Sequence, residues 1–217
     1  MYKQFFFAAS LSFILFSTFA FTQESPSLRI NGGMIYPKGS STGLSGLVQF
    51  NYPLSEKISL YIYTGSSVWD KKKSMYMKDF ATNDNELILH SYSADDHSLI
   101  PVYFGSNFNM HTNNFCTAFL NVELGYSYLS FNSYDYELYK HPETGEVLGF
   151  YADQKTRKEV IKNLFGFGIG AGISHPMTDD VDLTLTFKLN NVLNANNWLF
   201  SYEGTYTMLL AGFNLKI

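Results

Sequence analysis

Two stretches of the sequence contain residue types that could carry chemistry, and the first is rich in glycine. GFGIGA, residues 166–171, matches the G-x-G-x-x-G/A pattern of a dinucleotide-binding loop when alanine takes the last position. That pattern needs a helix directly after the glycines, because the helix amino terminus receives the phosphate. Here ISHP (173–176) is followed by a turn and a further strand pattern, so nucleotide binding is not predicted.

The second stretch combines serine, histidine and aspartate. His90-Ser91 and, shortly after, Asp95-Asp96-His97-Ser98 supply a nucleophile, a base and an orienting acid. These residue types are also common in loops, and we interpret the cluster as loop composition. The sequence shows no carboxylate pair and no metal-ligand spacing, so we predict no catalytic residue, no cofactor and no metal site.

The elements around these stretches are predicted to be strands, because apolar and polar residues alternate from residue 28 onward. VDLTLTFKLN (181–190) is the clearest case, and no long stretch has a helical period. Eight strands are predicted, at 28–35, 45–52, 58–65, 100–109, 118–129, 163–174, 181–190 and 207–217.

At this period the glycine stretch has one apolar face and one face almost without side chains. The second face consists of Gly166, Gly168, Gly170 and Gly172. Eight strands can close into a barrel whose interior is just wide enough for side chains to fill, so small residues on one wall imply large ones opposite. The predicted fillers of this space are Tyr61, Tyr63, Phe119, Leu129 and Met208.

The connections between the predicted strands alternate between short and long. PLSEK (53–57), HTNN (111–114) and HPMTDD (175–180) are short, whereas the links near 66–98, 131–160 and 191–202 are long, with a shorter one at 36–44. This alternation is typical of an up-and-down barrel with turns at one rim and loops at the other. The 131–160 link is predicted to hold a hairpin with its turn at Pro142 and Gly145.

The amino-terminal segment is predicted to be a signal peptide. Residues 1–22 combine one lysine, an apolar run and small residues before cleavage after Ala20 or Thr22, which leaves 23–217 as one barrel domain. The chain has 217 residues, a formal net charge of -4 and a single cysteine, Cys116. That charge gives no reason to expect nucleic acid, and a lone cysteine cannot form an internal disulfide.

Several features favour a barrel whose apolar face points outward into a membrane. The strand lengths suit a tilted crossing, and an aromatic girdle is predicted at the membrane borders. The girdle residues are Trp69, Trp198, Tyr126 and Tyr128. The inward charges, which we expect to pair across a narrow lumen, are Arg29, Glu123, Asp182, Lys188 and Lys216.

With its signal peptide, eight alternating strands, short turns and a strand that runs to Ile217, the chain resembles the small bacterial outer-membrane β-barrel family of the OmpA/OmpX type. The resemblance implies an all-β, eight-stranded antiparallel up-and-down transmembrane barrel, with short periplasmic turns and longer extracellular loops. It implies the bacterial outer membrane as location, with outer-membrane lipid, lipopolysaccharide and the barrel-insertion machinery as partners. An unknown extracellular partner is expected at loops 66–98 and 131–160.

The expected function is non-enzymatic: a side-chain-filled lumen with exposed loops for surface interaction or envelope integrity. Lys71, Lys72 and Lys73, and the group at 155–158, could meet lipopolysaccharide phosphates or simply be solvated loop charges. Two alternatives remain open. The chain could be a rim enzyme acting on lipid A through the His97 cluster, or a secreted lipocalin-like barrel that binds a small apolar ligand.

Overall fold

The computed structural model describes residues 25–38, 40–70, 72–78, 86–92, 97–113, 115–193 and 204–217. The chain forms strands almost throughout this part, with one short 3-10 turn at Gln154–Thr156. The strands are β1 Ser27–Pro37, β2 Gly43–Ser55, β3 Ile58–Trp69, β4 Lys72–Lys78, β5 Glu86–Tyr92, β6 His97–Thr112, β7 Thr117–Ser133, β8 Tyr136–Lys140, β9 Val147–Ala152, β10 Lys158–Pro176, β11 Val181–Val192 and β12 Thr205–Lys216.

Eight of these strands close into a barrel in the order β1-β12-β11-β10-β7-β6-β3-β2. All neighbouring pairs are antiparallel, and β12 closes the barrel on β1 in a continuous register from Ser27↔Lys216 to Pro37↔Tyr206. The predicted eight-stranded antiparallel barrel is therefore confirmed. Each predicted strand matches a barrel strand, although β7 and β10 reach 17 and 19 residues and extend well past their predicted ends.

The alternating sequence sorts side chains to the two faces of the barrel wall. In β2 every second residue from Gly43 to Pro53 is buried, and those between are exposed. Successive side chains of a strand point to opposite faces, so this pattern places one row of each strand inside the barrel and the row with most of the exposed large apolar residues outside.

The two rims of the barrel differ as the sequence predicts. Tight turns at 56–57, 113–116 and 177–180 mark one rim, called here the turn end, where β1 begins and β12 ends. The loop end carries the connections 38–42, 70–96, 134–157 and 193–204. The predicted hairpin is confirmed as β8 and β9, with Gly145 in the left-handed region (φ 70°). It forms its own two-stranded sheet, whereas β7 and β10 pair with each other up to Ser133↔Lys158.

A second loop-end hairpin, formed by β4 and β5, was not predicted. The sequence feature that could have predicted this hairpin is the run of turn-forming residues at 82–85, which lies between two short stretches of mixed polarity. Within the described ranges, no helix is long and apolar enough to cross a membrane. The signal peptide at 1–22 and both of its cleavage positions lie outside the described residues and stay predictions.

Candidate functional site

The glycine row of β10 lines the lumen and makes room for side chains of its neighbour β7. Gly168, Gly170 and Gly172 are register partners of Glu123, Asn121 and Phe119. A Cβ at Gly168 would lie 2.7 Å from Glu123 Oε1, and one at Gly172 would lie 2.4 Å from Phe119 Cζ. At Gly166 a Cβ would lie 2.7 Å from the hydroxyl of Tyr103. The row is therefore a groove in the barrel wall, occupied by large lumen side chains.

Glu123 and Lys188 form a buried ion pair at the middle of the lumen, with Nζ 2.7 Å from Oε2. The carboxylate of Glu123 also accepts hydrogen bonds from Tyr61 (2.7 Å), Tyr63 (2.8 Å) and Asn190 (2.6 Å). Four donors match the acceptor capacity of one carboxylate. The ammonium group of Lys188 lies 3.9 Å from the ring centroid of Tyr63, which adds a cation–π contact. This arrangement compensates both charges without solvent.

The other three predicted lumen charges lie nearer the turn end and do not join this network directly. Lys216 Nζ is 3.7 Å from Asp182 Oδ1, in a partly exposed pair, and also donates to the carbonyl of Asp179. Arg29 is buried, and its guanidinium carbon lies 5.0 Å from the ring centroid of Phe119. The five charges thus divide into a buried pair, a partly exposed pair and a separate arginine.

Apolar side chains fill the lumen on the loop side of the Glu123–Lys188 pair. They form one buried cluster: Ile35, Leu47, Tyr61, Tyr63, Leu99, Tyr103, Leu164, Val192, Tyr206, Met208 and Leu210. The rings of Tyr63 and Tyr103 stack 5.5 Å apart. Tyr61, Tyr63 and Met208, three of the predicted fillers, belong to this cluster, while Leu129 packs against it and Phe119 lies nearer the turn end.

The turn-end half of the lumen is open and polar. It encloses a cavity of about 580 Å³, lined mainly by asparagine, serine and threonine side chains of several strands. The expectation of a side-chain-filled lumen therefore holds for one half only. The reason is side-chain size: short polar residues such as Ser27, Ser59 and Thr117 occupy the inward positions near the turns.

The outer surface is a continuous apolar band. Large apolar side chains from every barrel strand point away from the lumen, with Leu124 at 67% and Phe165 at 63% relative exposure. Single exposed apolar residues are ordinary, but a band around the whole circumference is not a surface that water-soluble monomers present. The lipocalin-like alternative needs these side chains inside, and the structure places them outside.

The four predicted girdle residues do not share one position. Tyr126 and Tyr128 lie on the outer row of β7 toward the loop end, and Tyr126 packs edge-on against Phe165 at 5.7 Å. Trp69 lies on the inner row of β3, packed against the buried cluster, so its place in the girdle was wrong. The physical reason is the alternation of side chains along the strand, which places Trp69 on the same inward face as Tyr61 and Tyr63. Trp198 lies outside the described residues.

His97 is part of an aromatic stack at the loop end of the barrel. Its buried ring lies 5.3 Å from the Trp69 ring and 4.6 Å from the Phe131 ring, nearly parallel to the latter. Asp95 and Asp96 lie outside the described residues, and His90 and Ser91 lie in the separate hairpin strand β5. The two rings belong to β3 and β7, the strands that flank β6 in the barrel.

Some of the predicted loop cations lie within the described residues. Lys155, Arg157 and Lys158 are exposed at the loop end, and Arg157 Nε donates to Asn132 Oδ1 at 3.1 Å. Lys71 lies outside the described residues, and Lys72 and Lys73 begin the strand β4. Among the residues that the structure describes, no group of three or more His, Cys, Asp or Glu side chains could hold a metal ion.

Taken together, the closed antiparallel wall, the outward apolar band and the inward polar row define the fold of an eight-stranded outer-membrane barrel. Solved structures share it. Neisserial surface protein A has a TM-score of 0.55 at 14% identity, over 88% of this chain and 97% of that chain. A major outer membrane protein from Thermus thermophilus has a TM-score of 0.52 at 10% identity, over 89% and 100%. No protein-family model matches the sequence, and no curated protein does.

Proposed function

We propose that this chain is an integral, non-enzymatic protein of the bacterial outer membrane, which anchors exposed loops for surface interaction or envelope integrity. The observation that carries the proposal is the apolar band around the whole barrel, since such a band is stable only in contact with lipid or detergent. A closed barrel leaves no unpaired strand edge, which is what a bilayer requires of a spanning sheet.

The filled loop half of the lumen supports a role other than transport through a wide pore. The buried apolar cluster blocks the loop half of the barrel, and the Glu123–Lys188 pair crosses its centre. The exposed features lie at the loop end, where the two hairpins extend beyond the barrel wall. Hairpin β8–β9 presents Leu138, Tyr139, Leu148 and Tyr151 to solvent, with relative exposures from 40% to 58%. Apolar and aromatic side chains of this kind suit contact with another macromolecule.

The first experiment is electrophoresis of the detergent-solubilised membrane fraction in SDS, with and without boiling. We expect a heat-dependent change in migration, because closed membrane barrels resist SDS until they are heated. A protein that is found in the soluble fraction and migrates identically in both samples would overturn the proposal.

A matched pair of substitutions tests the lipid contact directly. Leu124→Arg places a charge in the middle of the outer band and should destabilise the barrel in lipid vesicles by about 2–4 kcal/mol. Leu148→Arg places the same charge on the exposed hairpin β9 and should change stability by less than about 0.5 kcal/mol. Equal effects of the two substitutions on urea unfolding would argue against a bilayer around the band.

The loop role is tested by replacing residues 136–152 with a short Gly-Ser linker. The barrel should keep its heat-dependent migration, since hairpin β8–β9 forms its own sheet. Cells that carry this variant should lose adhesion to surfaces while their resistance to detergent stays unchanged. Unchanged adhesion with lost resistance would assign the protein to envelope integrity, and no change in either would exclude this hairpin from the function.

A further inference from the structure

We propose that the turn-end cavity of the lumen binds a small solute through its oxyanion group, a carboxylate or a phosphate, with Arg29 as the principal contact. The cavity is about 580 Å³, within the range of roughly 300–1,000 Å³ that small-molecule sites occupy. It opens at the turn end, and the buried Glu123–Lys188 layer closes it toward the loops.

The first support is that Arg29 forms no ion pair with a carboxylate among the described residues, although the charge of Asp182 attracts it from a longer distance. Its side chain lines the cavity and is 7% exposed, yet its Nε has no hydrogen-bond partner among the described residues. The ion pairs found in the described part of the chain are Lys188–Glu123 and Lys216–Asp182, so neither includes Arg29. A buried charge without a hydrogen-bonded partner is costly, and most such groups are satisfied by a ligand, an ion or water.

The second support is the contact that Phe119 makes with the guanidinium group. The ring centroid lies 5.0 Å from the guanidinium carbon, which is within cation–π distance. A cation–π contact consumes no N–H donor, so it leaves the N–H edge of the group available. That edge presents donors in a fixed fork, which matches the two oxygens of a carboxylate or phosphate.

The cavity wall is suited to a polar solute. Asn51 Nδ2 donates to Ser27 Oγ and to Asn214 Oδ1, each at 3.2 Å, and Asn107 Nδ2 donates to Ser59 Oγ at 3.3 Å. These mutual contacts hold the amides in place, and the neutral wall adds hydrogen-bonding groups without adding charge. An apolar ligand would leave the remaining donors and acceptors of these side chains unpaired, at a cost in affinity.

The acidic groups of the cavity lie toward its mouth and are partly compensated. Asp182 pairs with Lys216 at 3.7 Å and accepts from Asn214 Nδ2 at 3.3 Å. Asp180 belongs to the turn between β10 and β11 and lines the opening. An anion next to Arg29 would therefore feel an attractive cation in contact and a weaker repulsion from Asp182. This balance predicts that removal of the Asp182 charge strengthens binding.

The test is a titration of isotope-labelled protein in detergent micelles, followed by NMR, with sodium acetate and sodium phosphate as probes at constant ionic strength. We expect saturable shifts of the Arg29 Nε–H signal and of cavity amides, with one probe reporting carboxylate recognition and the other phosphate recognition. Arg29→Gln should weaken binding about tenfold or more, since it removes a charge-assisted hydrogen bond. Arg157→Gln, the matched change at an exposed loop position, should leave the affinity unchanged.

Shifts that do not saturate, that persist in Arg29→Gln, or that occur at the loop end would overturn the proposal. If Arg29→Gln does not fold, Asp182→Asn provides an independent measurement. It should tighten binding about two- to fivefold, because a negative charge near the anion is removed. An unchanged or weaker affinity in Asp182→Asn would reject Arg29 as an anion site.

Discussion

The two halves of the lumen are built by the same eight strands but in opposite ways. The loop half is a dry cluster in which Ile35, Met208 and Leu210 have no exposed surface, whereas the turn half holds a polar cavity of about 580 Å³. The loop half resembles the core of a soluble domain, and its stability comes from close packing. The turn half relies on hydrogen bonds between short side chains and leaves room for a solute. One barrel therefore combines an apolar plug with an open polar cavity.

The boundary between the halves is ionic. Glu123 and Lys188 separate the apolar cluster from the cavity, and their charges are compensated by each other and by three neighbouring donors. The Asp182–Lys216 pair at the mouth has a similar composition but is partly exposed, with Lys216 at 43% and Asp182 at 16% side-chain exposure. We expect the burial of each ion pair, and not its residue types, to determine how much the pair contributes to the free energy of unfolding. Stability measurements on variants of both pairs can test this.

The largest effect is expected at the boundary. Lys188→Met leaves the Glu123 carboxylate buried without its cation and should lower the free energy of unfolding by about 3–5 kcal/mol. Urea unfolding in detergent measures it. Adding Glu123→Gln removes the stranded charge, so the double variant should recover more than half of the loss. A double variant as unstable as the single one would show that the pair does not act as a unit.

The next effect separates the two halves within a single strand. Leu210→Ala, in the apolar cluster, should destabilise the barrel by about 2–5 kcal/mol, because it leaves a cavity in a packed region. Asn214→Ala, four residues further along β12, should cost about 0.5–1.5 kcal/mol, because its former partners Ser27 and Asn51 line the cavity and can be hydrated there. If the two substitutions cost the same, the distinction between plug and cavity is not an energetic one.

A smaller effect is expected at the glycine row. Gly168→Ala would bring its Cβ to 2.5 Å from Asn190 Nδ2 and 2.7 Å from Glu123 Oε1, and the resulting overpacking should cost about 1–3 kcal/mol. Gly46→Ala is the matched control, since a Cβ there meets nothing within 4 Å on the outer face. Thermal unfolding should show a lower transition temperature for Gly168→Ala but not for Gly46→Ala. An equal decrease in both variants would contradict the interpretation of the glycine row as a groove for lumen side chains.

The smallest effect is expected at the mouth. Lys216→Met makes the same chemical change as Lys188→Met but in the exposed pair, and it should alter stability by less than about 1 kcal/mol. The comparison is made at low salt, where surface pairs are strongest. A loss similar to that of Lys188→Met would mean that Asp182 is as poorly solvated as Glu123.

The barrel itself was predictable from the sequence because a period of two fixes which residues share a face. VDLTLTFKLN (181–190) sorts Lys188 and Asn190 inward and Phe187 outward, as the structure has them. The alternation of short and long links then orders the strands. The two rims and the hairpin at Pro142 and Gly145 follow from turn-forming residues.

The division of the lumen was missed, although the sequence contains its signal. Inward rows change from polar to apolar toward the loop end: Asn51 and Gln49 precede Leu47 in β2, and Asn214 precedes Leu210 in β12 when each is followed from the turn end. Which acid meets which base could not be predicted, because pairing across the lumen depends on strand stagger and not on order in the chain. Trp69 was misplaced because its type suggested a membrane border while its parity placed it inside.

The pairing of β1 with β12 has a consequence for how the protein is made. Ser27 and Asn214 share a hydrogen bond although they are 187 positions apart in the sequence. The strand β1 can therefore pair with β12 only after β12 has been synthesised. Pairing between residues so far apart in the sequence is slow, because a long loop must close before the contacts form. Until they do, both strands offer open edges that can pair with other chains. A nascent chain of this design must be kept apart from its neighbours and delivered unfolded, and a truncated product without β12 is expected to aggregate or be degraded rather than to persist as a smaller barrel.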